Sequence, residues 1–306
     1  MTSSLICSAN SHIVFNMKIR VEPINAPCGA RITGVDLGAE LDADTYAAVH
    51  RAWLDYQVLV FPDTKMTEDD QIRFTKYWGD MPLRKRYAGR REESRRSHES
   101  IMLISNIREN GEAIGSLPDG DMMFHSDGQY DEHPYRYTML YALEVPSTGG
   151  NTLFANLYKA FETLPAELKD LLANVAAHHG YYAGRHVTSE ILQALGIERV
   201  ADNWTHPVFT AHEETRRPVL YVSRLLTRGL CGLPEDEGND ILDQLLDHAE
   251  NADLVYEHVW SPGDFVIWDN RCLNHARTDF SGGERRLLRR TTVQGVRPQA
   301  AFAKAA

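Results

Sequence analysis

Residues 265–293 read FVIWDNRCLNHARTDFSGGERRLLRRTTV and carry the clearest β-strand pattern in the chain. The first four residues form an apolar run of the length of a buried strand, and the later Ser-Gly-Gly predicts a hairpin turn. After the turn, alternation predicts a second strand over residues 287–293. Because successive strand side chains point to opposite faces, Arg286, Leu288 and Arg290 are expected to share one face.

Outside this stretch, short apolar runs alternate with a few helical patterns. Strands are predicted at residues 17–22, 57–61, 101–107, 137–145, 152–155 and 255–260. Helices are predicted at residues 44–56, 67–78, 157–177 and 236–250, the second of which opens with an N-cap threonine and an acid three positions later. Helices early and in the middle of the chain, with short strands elsewhere, predict a mainly β fold, a barrel or jelly roll with flanking helices.

The composition is that of a globular chain with an acidic balance. Of the 306 residues, 43% are hydrophobic, and the formal net charge is −11. This charge disfavours a nucleic-acid binder, and no apolar run reaches the length of a membrane span. The four cysteines are scattered and favour a reduced, cytoplasmic setting. We expect residues 1–16 to be a disordered extension, residues 17–299 to form a single domain, and residues 300–306 to be a loose tail.

Three histidine–x–carboxylate pairs occur in the chain. Side chains at i and i+2 on a strand share a face and can bind one metal ion, and non-haem Fe(II) oxygenases use two histidines and one carboxylate. With 13 histidines and 43 acidic residues among 306, roughly two such pairs are expected by chance (13 × 43/306). The pairs are His125–Asp127, His212–Glu214 and His248–Glu250. The spacing alone is therefore weak evidence.

The surrounding sequence favours the first pair. The third pair lies in a predicted helix, where side chains at i and i+2 point in different directions, and the second lies in a polar run typical of a hairpin tip. His125 and Asp127 follow an apolar Met-Met-Phe and precede a glycine, as at a strand edge that emerges into a cavity. A third ligand must come from elsewhere, and His275, shortly after a predicted strand, is a candidate.

Arg286 and Arg290 are expected to lie on the same strand face as Leu288. If this face lines a barrel, the guanidinium groups of Arg286 and Arg290 point inside, where an unpaired charge is costly. They then need bound carboxylates or internal acidic partners, and arginine can bind both oxygens of a carboxylate. An exposed basic face remains the alternative for Arg285 and Arg289.

Together, these motifs resemble the Fe(II)/2-oxoglutarate dioxygenases typified by taurine dioxygenase and dichlorophenoxyacetate dioxygenase. The similar segments occur in family order and cover most of the chain from Met17 onward. They are GARITGVDL near the start, FHSD at 124–127, PSTGGNTLF at 146–154, LYV at 220–222, WDNRCLNHARTDF at 268–280 and RRLLRRTT at 285–292. The resemblance implies a double-stranded β-helix, that is, a jelly roll. It also implies an oxidoreductase that uses Fe(II), 2-oxoglutarate and O2, releases succinate and CO2, and most often hydroxylates its substrate.

The resemblance assigns roles residue by residue. His125, Asp127 and His275 correspond to the family's iron ligands. Thr152 and Arg286 correspond to the pair that holds the distal carboxylate of 2-oxoglutarate. The presence of the acidic ligand argues against a related halogenase, in which a small residue takes its place.

The substrate pocket departs from that of taurine dioxygenase. Arg290 corresponds to the arginine that faces the substrate's anionic group. Arg84 falls near the position of a sulfonate-binding histidine, and Asp121 replaces a substrate-binding asparagine four residues before the first iron ligand. The aromatic wall that follows LYV is expected to be aliphatic here, at Leu225 and Leu226. The resemblance therefore implies a small anionic substrate, a carboxylate or sulfonate, other than taurine.

Other classes of protein stay as alternatives. A nucleic-acid demethylase would share the histidines and arginines, but the acidic balance and the PSTGG context disfavour it. A non-catalytic metal-binding barrel leaves the inward arginines and Thr152 unexplained, and a metal-dependent hydrolase with zinc is chemically feasible. The sequence leaves open a homo-oligomer, the identity of the primary substrate, and whether oxidation ends in hydroxylation, desaturation, cyclisation or bond cleavage.

Overall fold

A computed structural model describes residues 19–82, 98–116, 120–194 and 203–302. The predicted extension over residues 1–16 and the predicted substrate residue Arg84 lie outside the described residues. The strands, in chain order, are β1 (Arg20–Pro23), β2 (Ala30–Thr33), β3 (Val58–Phe61), β4 (Met102–Ser105), β5 (Arg108–Glu109), β6 (Glu112–Ala113), β7 (Met122–His125), β8 (Tyr135–Glu144), β9 (Thr152–Asn156), β10 (Ala176–Gly180), β11 (Asn203–Pro207), β12 (Phe209–Ala211), β13 (Pro218–Leu220), β14 (Thr227–Leu230), β15 (Val255–His258), β16 (Phe265–Asp269), β17 (Leu273–Arg277), β18 (Leu287–Gln294) and β19 (Gln299–Ala300).

The helices are α1 (Ala43–Tyr56), α2 (Glu68–Lys76), α3 (Leu157–Thr163), α4 (Ala166–Leu172), α5 (Ser189–Ala194) and α6 (Glu235–Ala249), with a 3-10 turn at Ala252–Leu254. The predicted capping box opens α2. Thr67 Oγ1 accepts a hydrogen bond from the backbone N–H of Asp70, and the Asp70 carboxylate accepts one from the backbone N–H of Thr67. Among the described helices, none is long and apolar enough to cross a bilayer.

Seven strands form the larger sheet, in the order β1–β2–β3–β16–β8–β18–β4. Neighbouring strands pair antiparallel, except for the parallel pair β2 and β3. Because β1 lies near the start of the described chain and β18 near its end, segments far apart in sequence meet in this one sheet.

Four strands, in the order β15–β9–β17–β7, form a second sheet that packs face to face on the larger one. Phe154 of β9 meets Trp268 of β16 with ring centres 5.3 Å apart. Leu273 of β17 and Leu140 of β8 belong to the same buried cluster between the sheets. The predicted mainly β fold, a jelly-roll core with flanking helices, is confirmed.

Helices α1 and α2 cover the outer face of the larger sheet. Phe74 of α2 packs edge-on against Phe265 of β16, with ring centres 5.3 Å apart, and Trp53 of α1 joins the same buried cluster. Each large apolar side chain buried in this way contributes about 1.5–3 kcal/mol to stability. Alternation along β8 separates the two cores, since Met139 faces the helices and Leu140 faces the second sheet.

The prediction of a single helix over residues 157–177 is wrong. The helical segment is interrupted at Pro165, which has no backbone N–H to donate, and Leu164 before it is extended, with ψ 139°. Two short helices, α3 and α4, replace it. The last residues of the predicted helix enter β10, which pairs with β11 and β14 in a small separate sheet.

The loose tail predicted from residue 300 is wrong for its first three residues. Ala300 in β19 is paired with Thr210 in β12. Phe302 packs on Phe209 and Phe161, with ring centres 6.2 and 6.0 Å away. An alanine-rich composition suggested a loose tail, but backbone pairing and this aromatic contact hold the chain as far as Phe302.

Candidate metal centre and anion pocket

Strands β7 and β17 bring His125, Asp127 and His275 together. The two histidines are opposite each other in the strand register, and their ring centres are 4.1 Å apart. Nε2 of His125 lies 3.8 Å from Oδ1 of Asp127, and Nε2 of His275 lies 4.0 Å from Oδ2. The candidate ligand atoms all lie within 4.8 Å of one another. Two imidazoles and one carboxylate around one point form the donor set that suits a non-haem iron site.

Both imidazoles are in the form that binds a metal ion. Nδ1 of His125 lies 2.9 Å from the carbonyl oxygen of Met123. A carbonyl only accepts, so Nδ1 carries the proton and Nε2 presents a lone pair towards the carboxylate. Burial is the main cause of the lowered pKa of both histidines. The pKa of His125 falls below its ordinary value, and that of His275 falls to about 3. Both rings are therefore neutral at neutral pH, as metal binding requires.

Asp127 is ionised although it is buried. Burial acts to raise its pKa, but the charge of Arg290 and a hydrogen bond from Thr138 oppose this effect, and the pKa lies well below its usual range. Oδ2 accepts a 2.6 Å hydrogen bond from the hydroxyl of Thr138, and Oδ1 accepts a 3.2 Å hydrogen bond from Nη1 of Arg290. A carboxylate next to two neutral imidazoles fits a divalent cation, because the cation would neutralise the carboxylate charge and be bound by the imidazole nitrogens.

A second cluster of possible ligands, His212, Asp269 and Cys272, is hydrogen-bonded internally. Nε2 of His212 lies 3.1 Å from the Asp269 carboxylate, and its Nδ1 accepts from two backbone N–H groups of the hairpin turn between β12 and β13. Asp269 also accepts from Arg271. Burial raises the pKa of the Cys272 thiol well above its ordinary value, which disfavours a thiolate ligand. We interpret this cluster as a structural network.

Arg286 is a buried cation with unused hydrogen-bond donors. The residue is 2% exposed, and its Nη2 donates to the carbonyl oxygen of Gly150 at 3.2 Å. Within the described part of the chain, its Nε and Nη1 have no hydrogen-bond partner. Burial and then Arg277 lower the pKa of Arg286 to about 9, so the group is charged at neutral pH. A charged guanidinium with unused donors in a buried place fits a carboxylate ligand.

Arg277 lies near this guanidinium, as its effect on the pKa of Arg286 indicates. Thr152 faces Arg277 in the register of β9 and β17. Thr152 Oγ1 accepts a 3.0 Å hydrogen bond from the indole N–H of Trp260, so its own proton is available for an acceptor. Arg277, which bonds the carbonyl of Gly120, was not predicted from the sequence. Its position two residues after His275, on the same strand face, is the pattern that could have identified it.

Two glycines of the PSTGG turn make room for Arg286. Gly149 and Gly150 have φ of 75° and 65°, in the left-handed region that favours glycine. A Cβ atom at Gly149 would lie 2.2 Å from the carbonyl oxygen of Asp279, and one at Gly150 would lie 3.2 Å from Nε of Arg286. The close approach of this turn to the guanidinium therefore depends on glycine at both positions.

The three residues predicted to bind the substrate differ in what the structure shows of them. Arg290 has an internal acidic partner, Asp127, which was one of the two alternatives that its strand position left open. Asp121 is exposed at the residue before β7. The third predicted residue, Arg84, lies outside the described residues.

The expectation of an exposed basic face holds for Arg285 but not for Arg289. Arg285 is exposed and pairs with Glu144. Arg289 is 6% exposed and lies over the ring of Tyr141, 4.7 Å from its centre. The reason is α2, which covers this face of β18 and donates a hydrogen bond from Gln71 to the backbone of Arg289.

An apolar wall lies beside β7, the strand that ends at His125. Its members are Met122, Met123, Tyr130, Tyr181, Tyr182, Val187, Leu192, Leu225 and Leu226. The backbone N–H of Leu225 donates to the carbonyl of Phe124 at 3.1 Å, which ties the wall to β7. The expectation of aliphatic residues at Leu225 and Leu226 agrees with this wall but is incomplete, because three tyrosines also contribute.

Comparison with known proteins places the chain in a family. Residues 20–292 match the taurine catabolism dioxygenase TauD, TfdA family. The chain is 30% identical to the (S)-phenoxypropionate/alpha-ketoglutarate-dioxygenase of Sphingobium herbicidovorans over 289 residues, which cover 90% of this chain and 94% of that protein. It is 29% identical to the alpha-ketoglutarate-dependent 2,4-dichlorophenoxyacetate dioxygenase of Cupriavidus pinatubonensis, with 90% and 98% covered.

A solved structure agrees with these sequence relatives. AAD-2, in complex with Mn(II) and N-oxalylglycine, superimposes with a TM-score of 0.75 at 26% identity, covering 92% of this chain and 100% of that chain. The resemblance inferred from the motifs is therefore confirmed, and so is the class of enzyme, an oxidoreductase. The chain belongs to the TauD/TfdA family of 2-oxoglutarate-dependent dioxygenases.

Proposed function

We propose that this enzyme oxidises a small organic carboxylate with an apolar body, using Fe(II), 2-oxoglutarate and O2 and releasing succinate and CO2. One observation carries the proposal: two neutral imidazoles and an ionised carboxylate converge on one point, and a buried guanidinium, whose Nε and Nη1 have no partner among the described residues, lies near Arg277, two residues after His275. When bound, Fe(II) with 2-oxoglutarate and O2 supplies the oxidation of a substrate C–H bond, most often as a hydroxylation.

His125, Asp127 and His275 would hold the iron. Their neutral imidazoles and single carboxylate would supply three ligands, and the coordination positions that they do not fill would be available to the co-substrate and O2. The structure of AAD-2 in complex with Mn(II) supports binding of a divalent metal ion. In this chain, the metal site is supported most directly by the lone pair that Nε2 of His125 directs towards Asp127.

Arg286 and Thr152 would bind the distal carboxylate of 2-oxoglutarate. Arg286 can donate from Nε and Nη1, and Thr152 can donate its hydroxyl proton. The N-oxalylglycine bound to AAD-2 supports a ligand with two carboxylates. Arg277 adds positive charge nearby, as its effect on the pKa of Arg286 indicates. These residues would orient the co-substrate so that its other end faces the metal.

Arg290 would bind the carboxylate of the primary substrate. In the structure it pairs with Asp127, and a metal ion bound to that carboxylate would compete with this pairing and release the guanidinium for another anion. The names of the phenoxypropionate and dichlorophenoxyacetate relatives describe aryloxy carboxylates. On the basis of the family resemblance alone, Asp121 and Arg84 are also proposed to contribute to substrate binding.

The apolar wall would bind the rest of the substrate. Leu225 and Leu226 are buried, whereas Tyr130 and Tyr181 are half-buried, with ring centres 5.2 Å apart. A wall of this composition suits an aromatic or branched alkyl group better than a short polar one. This supports an aryloxy or alkyl carboxylate over a small sulfonate such as taurine.

The proposal is tested by succinate formation coupled to substrate oxidation. The Fe(II) enzyme is supplied with O2, 2-oxoglutarate and a panel of aryloxy and alkyl carboxylates, each paired with its methyl ester. We expect at least one free acid to stimulate succinate release with an equal amount of oxidised product, and its ester to react poorly. Turnover that persists without 2-oxoglutarate would instead favour a metal-dependent hydrolase. Equal turnover of acid and ester would refute the anionic substrate.

A further inference from the structure

We infer that Thr138 is a positioning residue that fixes the orientation of the Asp127 carboxylate by donating its hydroxyl proton to Oδ2. The inference rests on the proposed function, in which Asp127 binds the metal. Thr138 is fully buried in β8, directly opposite Trp268 of β16 in the strand register. Its hydroxyl lies 2.6 Å from Oδ2 of Asp127.

A chain of three short hydrogen bonds ends at the Asp127 carboxylate. The indole Nε1 of Trp268 donates to Oδ1 of Asn270 at 2.9 Å. Nδ2 of Asn270 donates to Oγ1 of Thr138 at 2.9 Å. Thr138 then donates to Oδ2 of Asp127. Trp268 and Asn270 are each 1% exposed, so water competes little with these bonds.

The direction of this chain follows from its first donor. An indole N–H can only donate, so the side-chain oxygen of Asn270 must face Trp268. The amide NH2 of Asn270 then faces Thr138, and because it can only donate, the hydroxyl oxygen of Thr138 must accept. The one hydroxyl proton of Thr138 is left for Asp127, which as a carboxylate can only accept.

A second contact holds the same segment. The hydroxyl of Ser126, the residue before Asp127, donates to the backbone carbonyl of Asn270 at 2.7 Å. Asn270 therefore fixes both the backbone next to Asp127 and, through Thr138, the carboxylate. The loop that carries the acidic ligand is thus tied to the end of β16 at two points.

For the metal site, this arrangement favours ligation through Oδ1. Oδ2 accepts the short hydrogen bond from Thr138, whereas Oδ1 accepts a 3.2 Å hydrogen bond from Arg290 and lies 3.8 Å from Nε2 of His125. A metal ion that displaced Arg290, as proposed above, would find Oδ1 free while Thr138 still held Oδ2. Without the Thr138 hydroxyl, the carboxylate could rotate.

The test measures metal binding rather than turnover. Apo-enzyme is titrated with Mn(II), and free Mn(II) is counted by electron paramagnetic resonance. Thr138→Val should weaken Mn(II) binding by about 10- to 100-fold, the usual effect of losing a hydrogen bond to a metal ligand. Thr138→Ser, which keeps the hydroxyl, should bind close to wild type. If the valine variant does not fold, Thr138→Ala removes the same hydroxyl without adding an apolar atom beside Asn270.

Thr291→Val is the matched control. Thr291 is 1% exposed in the neighbouring strand β18, and its hydroxyl lies 2.8 Å from that of Thr75, away from the metal site. The control should keep wild-type affinity and the wild-type visible absorption spectrum of bound Co(II). That spectrum should change in Thr138→Val and be restored in Thr138→Ser, which a general loss of stability would not produce.

The outcomes separate this inference from the proposed function. If wild type binds Mn(II) and His125→Ala does not, the metal site stands, and normal affinity in Thr138→Val or Thr138→Ala would overturn only the role of Thr138. Weak binding by Thr138→Ser or by Thr291→Val would also overturn it. If wild type and His125→Ala bind Mn(II) alike, the proposed metal site fails and the inference fails with it.

Discussion

Replacing Arg286 by methionine should separate co-substrate binding from protein stability. Methionine keeps an unbranched, flexible shape but removes the charge. Because the guanidinium is buried and two of its donors have no partner among the described residues, its removal should leave the unliganded protein as stable as wild type or more stable. Binding of the distal carboxylate should lose roughly 2–3 kcal/mol, the contribution of a charge-assisted contact. This corresponds to about 30- to 150-fold weaker binding.

The expected shifts in melting temperature follow from these numbers. A ligand at 100 times its dissociation constant stabilises the folded state by about 2.7 kcal/mol, and a 100-fold loss of affinity reduces this to about 0.4 kcal/mol. Unfolding entropy is about 2.1 cal/mol/K per residue, or roughly 0.6 kcal/mol/K for a chain of 306 residues. The ligand should therefore raise Tm by about 4 °C in wild type and by less than about 1 °C in the variant.

The assay is thermal unfolding with saturating Mn(II), with and without N-oxalylglycine, so that no turnover occurs. Arg289→Met is the matched control, because Arg289 is a buried arginine three residues after Arg286, in β18, and packs against Tyr141 on the opposite side. It should keep the full ligand-induced shift. A full shift in Arg286→Met, or a clear fall in the melting temperature of its unliganded form, would refute the reasoning.

Two further predictions concern the metal and the substrate. His125→Ala should lose tight Fe(II) binding in metal analysis, and full iron occupancy in this variant would contradict the assignment. The control variants His212→Ala and His248→Ala should keep one metal per chain, because Nε2 of His212 contacts Asp269 and Nε2 of His248 contacts a backbone carbonyl. Arg290→Gln should raise the KM for the free acid found in the substrate panel and leave N-oxalylglycine affinity nearly unchanged. A large loss of N-oxalylglycine affinity would instead assign Arg290 to the co-substrate.

Local patterns were enough to predict the elements that frame the site. The spacing of apolar residues predicted α1, and the threonine–acid pair predicted the start of α2. The polar, turn-like context of residues 212–214 indicated a hairpin tip, and the structure has a turn there between β12 and β13. These features depend on residues within one turn or one strand, which is why the sequence alone contains them.

Features that depend on packing between distant segments could not be predicted. Arg289 is buried because α2 covers it, and nothing near residue 289 in the sequence indicates that contact. The hydroxyl of Thr138 bonds residues 11 and 132 positions away. Its polar side chain within the apolar run YTMLYALEV was a visible anomaly, but its partners depend on how β8, β16 and the loop after β7 meet.

The central claim is that iron and 2-oxoglutarate bind together at His125, Asp127 and His275, with Arg286 on the distal carboxylate. Anaerobic titration of the Fe(II) enzyme with 2-oxoglutarate, followed through the visible iron–2-oxoglutarate charge-transfer band, tests this most directly. We predict that the band saturates at one equivalent per chain in wild type, requires a much higher 2-oxoglutarate concentration in Arg286→Met, and does not develop in His275→Ala. No band in wild type, or an undiminished band in His275→Ala, would contradict the account.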